Sequence, residues 1–175
     1  MKRNIFVWQL SGFALSSLCG TLLHFLYEWT DKNAAIAMFS GVNESTWEHM
    51  KLLFFSLLAF ALIQRRFFKE YKTFWSVKSV GIAIGLILIP VLFYTYNGAF
   101  GKSPDWMNIA FFFISAAVPF FAEARLFKKD RLQCKAPGPA LAFIFFMGLM
   151  FVIFTFVTPK LPLFRDPTTG MYGIA

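Results

Sequence analysis

The chain has 175 residues and a formal net charge of +8, is 58% hydrophobic and 20% aromatic, and holds 25 Phe, with a mean hydropathy of +0.60. So apolar a composition excludes an ordinary soluble domain, and the length allows one compact bundle, residues 1–175, rather than two domains. The positive charge lies between apolar runs and not along a continuous basic face, which excludes nucleic acid as a partner.

An uninterrupted apolar stretch of about 18 residues or more can cross the roughly 30 Å hydrocarbon layer as a helix. Five such stretches are predicted, over residues 5–27, 47–63, 77–94, 106–122 and 140–157, giving an all-α transmembrane bundle. The first follows Met1-Lys2-Arg3, a signal-like start, but no small-x-small cleavage pattern closes the run near Tyr27. It therefore reads as a retained span. Along it Gly12, Ser16, Gly20, His24 and Glu28 recur at intervals of four and share one helix face. Small residues let another helix approach, and a lipid-facing His24 or Glu28 would cost up to about 2.5–3.5 kcal/mol, so this row is expected to face the bundle interior.

The second span opens with Gly41-Val42-Asn43-Glu44-Ser45-Thr46-Trp47-Glu48-His49-Met50-Lys51, the densest polar segment of the chain. Glu44, Glu48 and Lys51 fall on one helical face, with Ser45 and His49 beside them. A capping box is one reading: Ser45 caps the helix, Glu48 reaches back to it, and Glu44 benefits from the helix dipole. In the third span Gly81 and Gly85 form a small-x-x-x-small pair for close helix contact. Pro90 in the third span and Pro119 in the fourth are tolerable as kinks inside a bundle. Glu123, at the end of the fourth, is expected to form a snorkelling ion pair with Arg125. Cys19 in an apolar run and Cys134 in a basic loop lie at different depths, so both are read as free thiols. After the fifth span, the tail over residues 159–175 is too rich in Pro and Gly for a helix. It is either a loose end or a turn that brings Asp166 or Tyr172 over the polar cluster as a lid.

Orientation follows from the basic residues. Twelve of the 17 fall on one side of the predicted spans, at Lys2 and Arg3, then Arg65, Arg66, Lys69, Lys72 and Lys78, then Arg125, Lys128, Lys129, Arg131 and Lys135. Lys32, Lys51, Lys102, Lys160 and Arg165 fall on the other. Lys and Arg are retained on the cytoplasmic side, so the N-terminus is predicted inside and the C-terminus outside, in a multi-pass cell-membrane protein with membrane lipids as partners. Trp29, Trp47 and Trp106 then mark outer boundaries, and Trp8 and Trp75 inner ones.

Both histidines and most of the acids map to the outer side. Imidazole with carboxylate suits zinc, iron or manganese, and His24, Glu28 and His49 are the candidate ligands of such a divalent metal, with Asp166 a further candidate. Glu48 or Glu44 would accept a proton, and Lys51 would orient an anionic group, while the metal activates water against a lipid-like substrate. No His-Glu-x-x-His motif, nucleotide-binding glycine loop or nucleophile elbow is present. Two alternatives stay open. One is a small proton- or cation-coupled transporter, although the spans show few ionisable groups to continue a path and no inverted repeat. The other is a non-enzymatic accessory or scaffold whose cluster only ties helices together.

In His24-x-x-x-Glu28, in Gly41-Val42-Asn43-Glu44-Ser45-Thr46-Trp47-Glu48-His49 and in Phe164-Arg165-Asp166-Pro167-Thr168-Thr169-Gly170-x-Tyr172-Gly173, the chain resembles a family of small uncharacterised bacterial membrane proteins. The resemblance spans most of the chain and implies a multispan protein of the bacterial inner membrane. It implies no reaction, ligand or site residue.

Overall fold

The computed structural model describes residues 4–129 and 136–174, with Lys129 described by its backbone alone. Lys2, Arg3, Arg131, Cys134 and Lys135 lie outside the described residues. Six α-helices are described, α1 (Ile5–Trp29), α2 (Ala34–Ala37), α3 (Thr46–Phe67), α4 (Phe74–Phe100), α5 (Asp105–Lys129) and α6 (Gly138–Phe156), followed by a 3-10 turn at Pro162–Phe164. All but the single-turn α2 are long and apolar enough to cross a membrane. They contain four of the five predicted spans whole and the fifth up to Phe156, Val157 being its C-cap, and they extend most of them by a turn or more, because the polar flanking residues continue the helix beyond the apolar run.

Local signals set the ends. The Asn4 side chain accepts from the backbone N–H of Val7 at the start of α1, and that of Ser45 accepts from the N–H of Glu48 at the start of α3. Gly101, at φ 83°, ends α4 in a conformation that a side chain would resist. The interior is built around α3, of which two-thirds of the apolar window is buried, against about a fifth to two-fifths in the other four. Its Leu53, Phe54, Leu57 and Phe60 form the core with Ile82, Leu86, Phe120 and Phe151. The outside is apolar too. Phe6, Ile87, Phe121 and Phe145, from four different helices, are 61–72% exposed, a surface suited to hydrocarbon and not to water.

Close helix contacts depend on the small residues. A methyl group on Gly12 would lie 2.5 Å from rings of both Phe60 and Phe120, and one on Gly20 would lie 2.5 Å from Phe112. At Gly81 it would collide with Glu123, and at Gly85 it would press on Pro119. The Gly81 and Gly85 pair thus receives α5, as the spacing predicts.

Three sequence expectations change here. Glu123 does not pair with Arg125 at the surface; its carboxylate lies 2.6 Å from the Lys78 ammonium, both fully enclosed. Gly81 opens the space that lets this carboxylate reach across to α4, while Arg125 stacks over Phe121 at 4.2 Å. Lys78 and Lys51 therefore belong to helix interiors and not to the charged connections in which they were counted. Trp47, expected at a boundary, is buried against Phe151 and Phe164 at centroid distances of 4.5 and 4.7 Å.

Removing one partner of an enclosed pair leaves an uncompensated charge, so Glu123→Ala is expected to cost about 3–5 kcal/mol of stability. The double change Lys78→Met with Glu123→Leu should recover most of that loss. Thermal unfolding of the detergent-purified protein measures both.

Candidate functional site

One end of the bundle gathers the C-terminal end of α1, the loop through α2, the start of α3 and the tail. Ser40 fastens the loop to α1: its hydroxyl donates to the carbonyl of Leu23 and accepts from the N–H of Tyr27. Three residues later, at Asn43, the chain begins its turn into α3. Asn43 accepts from the N–H of Ser45 at 2.9 Å, an Asx turn, and Ser45 in turn caps the helix. Glu44 sits between these two locks, so its backbone is held while its side chain, about half exposed, swings toward α1.

There it meets both histidines. The Glu44 carboxylate lies 3.4 Å from Nε2 of His24 and 3.6 Å from Nε2 of His49, and the two imidazole centroids are 5.7 Å apart. Nδ1 of His49 lies 2.9 Å from the carbonyl of Ser45, one turn back. A carbonyl only accepts, so a proton is assigned to Nδ1, and Nε2 faces Glu44. The two carboxylate–imidazole distances exceed the roughly 2.7–3.2 Å of an N–H···O hydrogen bond. They run to different oxygens, Oε1 for His24 and Oε2 for His49, and each is close to the roughly 3.3–3.6 Å that separates two donors on one tetrahedral metal ion. His24, Glu44 and His49 form one group able to hold a metal, with a ligand atom from each within 4.8 Å of the others.

The remaining candidates lie elsewhere. Glu28 is exposed and outside the group. The four-residue row rotates by about 40° per step, since a helix advances about 100° per residue, and four steps from Gly12 carry Glu28 well off the buried face. Tyr27 takes the inward position instead. Glu48 and Lys51 are buried and pair with each other at 2.6 Å. The Lys51 ammonium also donates to the carbonyl of Ala37 at 2.8 Å and to the Thr155 hydroxyl at 2.9 Å. Glu48 does not complete a capping box: its carboxylate accepts from the N–H of Val42 at 3.0 Å, because Asn43 already serves the N–H of Ser45. Neither residue is among those that line the cavity described below.

The tail is ordered and folds back. Phe164 packs on Trp47 and Phe154, Arg165 and Tyr172 form an antiparallel bridge, and the carbonyl of Gly173 accepts from Asn43 Nδ2 at 2.9 Å. Gly173, at φ 66°, packs against Thr158 so tightly that no side chain would fit. Asp166 lies outside the His24, Glu44 and His49 group. It is buried, and one carboxylate oxygen accepts from the N–H groups of Thr168 at 2.7 Å and Thr169 at 3.2 Å, while the other approaches the N–H of Glu44 at 3.5 Å. Burial opposes its ionisation, but these donors outweigh it and hold the carboxyl below its ordinary value.

A cavity of about 520 Å³ opens beside the His24, Glu44 and His49 group. Its body is apolar, with Leu52, Ile89, Phe93 and Phe112, while Thr21, Asp105 and Asn108 add polar atoms and Pro167 and Thr168 of the tail close one side. The sequence reading missed Asp105 and Asn108; both open α5, and neither follows a ligand-like spacing.

The model of the family of unknown function DUF6512 matches residues 2–174. The chain belongs to DUF6512. No curated protein and no solved structure matches it. Membership in DUF6512 brings no reaction, so the chemistry of the site stands on its geometry.

A carboxyl held below its ordinary value stabilises the fold above the unfolded value of about 3.9 and loses that contribution as pH falls through the folded value. Hydrogen exchange of the tail amides, corrected for pH, should therefore show protection that is full at neutral pH and lost below about pH 4. Asp166→Asn should loosen the tail at neutral pH, by about 1.5–3 kcal/mol for hydrogen bonds to a charged acceptor.

Proposed function

We propose that the chain is an integral membrane protein that holds one divalent metal on His24, Glu44 and His49 and uses it on an amphipathic, lipid-like molecule bound in the adjoining cavity. One observation carries the reading: two imidazoles and a carboxylate converge at metal-ligand spacing, too far apart for hydrogen bonds, on the polar edge of an apolar cavity. Two histidines and one carboxylate leave coordination positions open, as in catalytic zinc and non-haem iron sites. Ser45 supports the metal from behind, since the His49 N–H that donates to its carbonyl fixes the ring and directs Nε2 forward. His24, Glu44 and His49 would hold the ion, which would supply a Lewis acid able to lower the pKa of a coordinated water toward neutrality.

The basic residues support an orientation with the N-terminus inside and this site at the outer face of the cell membrane, since most of the Lys and Arg in the connections lie at the other end.

Metal analysis of protein purified in detergent without chelators tests the reading. Close to one zinc, iron or manganese per chain is expected. His49→Ala and Glu44→Gln should each weaken metal binding by more than the roughly 10–100-fold that outer partners of a ligand are worth. Glu28→Gln should leave it unchanged, because Glu28 stands apart from the group. Failure of the unmodified protein to bind added Zn²⁺ or Mn²⁺ would falsify the metal centre.

A further inference from the structure

The cavity is open on its flank. Phe25 of α1 and Ile109 and Phe113 of α5 line it, yet they are 47%, 58% and 37% exposed, so the same side chains are both cavity wall and outer surface. The opening lies between α1 and α5, where the surroundings are apolar: Leu18 and Leu22, on the same helix, are 57% and 47% exposed. Its floor is the Phe112 ring, which approaches α1 only because residue 20 is glycine. The tail covers the other approach, with Pro167 and Thr168 in the lining. A molecule dissolved in the hydrocarbon layer thus reaches the apolar body of the cavity directly, between α1 and α5, while the exposed Glu44 and Asp105 mark its polar edge.

Charge narrows the head group. Among the described residues, two carboxylates line the cavity, Glu44 and Asp105, and no Lys or Arg does. An anionic phosphate head would face Glu44, half exposed, and Asp105, exposed at the cavity edge, with no basic side chain in the lining to offset their charge. With one divalent ion held beside them, Glu44 and Asp105 already bring the site to neutrality, so an anionic head would add a charge that nothing in the lining balances, and Asp105 is the carboxylate it would meet. The volume falls within the roughly 300–1,000 Å³ range of small-molecule pockets, enough for a head and part of an acyl chain.

We infer that the cavity takes a lipid with an uncharged ester or hydroxyl head, of the diacylglycerol kind, sideways from the bilayer between α1 and α5, and that Asp105 rejects anionic head groups. This deepens the proposed function and rests on its reading of a membrane-embedded, lipid-binding site. Selection is by repulsion, the negative element that specificity requires.

The full chain in detergent, incubated with equal amounts of 1,2-dioleoylglycerol, dioleoyl-phosphatidylglycerol and dioleoyl-phosphatidate and then exchanged into lipid-free detergent, gives the retained lipid by mass spectrometry. Retention of dioleoylglycerol should exceed that of either anionic lipid by at least about tenfold, and Asp105→Lys should bring the ratio to within about twofold. Thr21→Trp, which fills the opening from an exposed position, should reduce uptake of dioleoylglycerol. Equal or greater retention of the anionic lipids, or a ratio that Asp105→Lys leaves unchanged, overturns the head-group assignment. Full uptake by Thr21→Trp overturns lateral entry. Metal measured in the same samples separates the two proposals: bound metal with anionic lipids preferred overturns this inference alone, and absent metal with dioleoylglycerol still preferred overturns the metal centre alone.

Discussion

The ammonium of Lys51 holds the site end of the bundle together. Its three N–H donors go to the Glu48 carboxylate, the Ala37 carbonyl and the Thr155 hydroxyl, which belong to α3, α2 and α6. Glu48 extends the same junction by accepting from Val42 in the loop. A charge so enclosed is tolerated only when every donor is matched, and each match here ties down a different segment. The loop from α2 to α3 consequently has one path, and that path delivers Glu44 to His24.

Glu44 differs from its neighbours in kind. Glu48 and Asp166 are consumed by hydrogen bonds from N–H groups or from Lys51, so they stabilise the frame. The Glu44 carboxylate and the His24 and His49 Nε2 atoms stand just beyond hydrogen-bond reach of one another, at the edge of an apolar cavity. The arrangement separates the groups that build the site from those free to act in it. The ordered tail joins the two sets, because Asp166 approaches the backbone of Glu44 while Pro167 and Thr168 line the cavity.

The second enclosed pair, Lys78 with Glu123, lies toward the other end of the bundle and bears on the transporter alternative. The sequence shows few ionisable groups for a path, and the fold adds an interior lysine and an interior glutamate. Yet the Lys78 ammonium is packed among Phe60, Phe74 and Phe120, with its nitrogen 5.3–5.9 Å from the ring centroids. Aromatic faces stabilise the cation and exclude water from it. Phe60 and Phe120 also close on α1 at Gly12, which seals this pair from the cavity side. The pair acts as a joint between α4 and α5.

The sequence by itself determined the five apolar helices, the Ser45 cap and the gathering of His24 and His49 near one end, because these follow from composition and spacing along one segment at a time. It also marked Gly81 and Gly85 as a contact face for the same reason. Only the tertiary structure decided that Glu44 and not Glu28 meets the histidines, that Glu48 and Lys51 turn inward to each other, that Lys78 pairs with Glu123, and that Trp47 belongs to the core under the tail. Those outcomes depend on how far each helix is rotated about its own axis and on which neighbour presents a partner. A row of residues four apart constrains that rotation only loosely, and two helices packed against each other settle it.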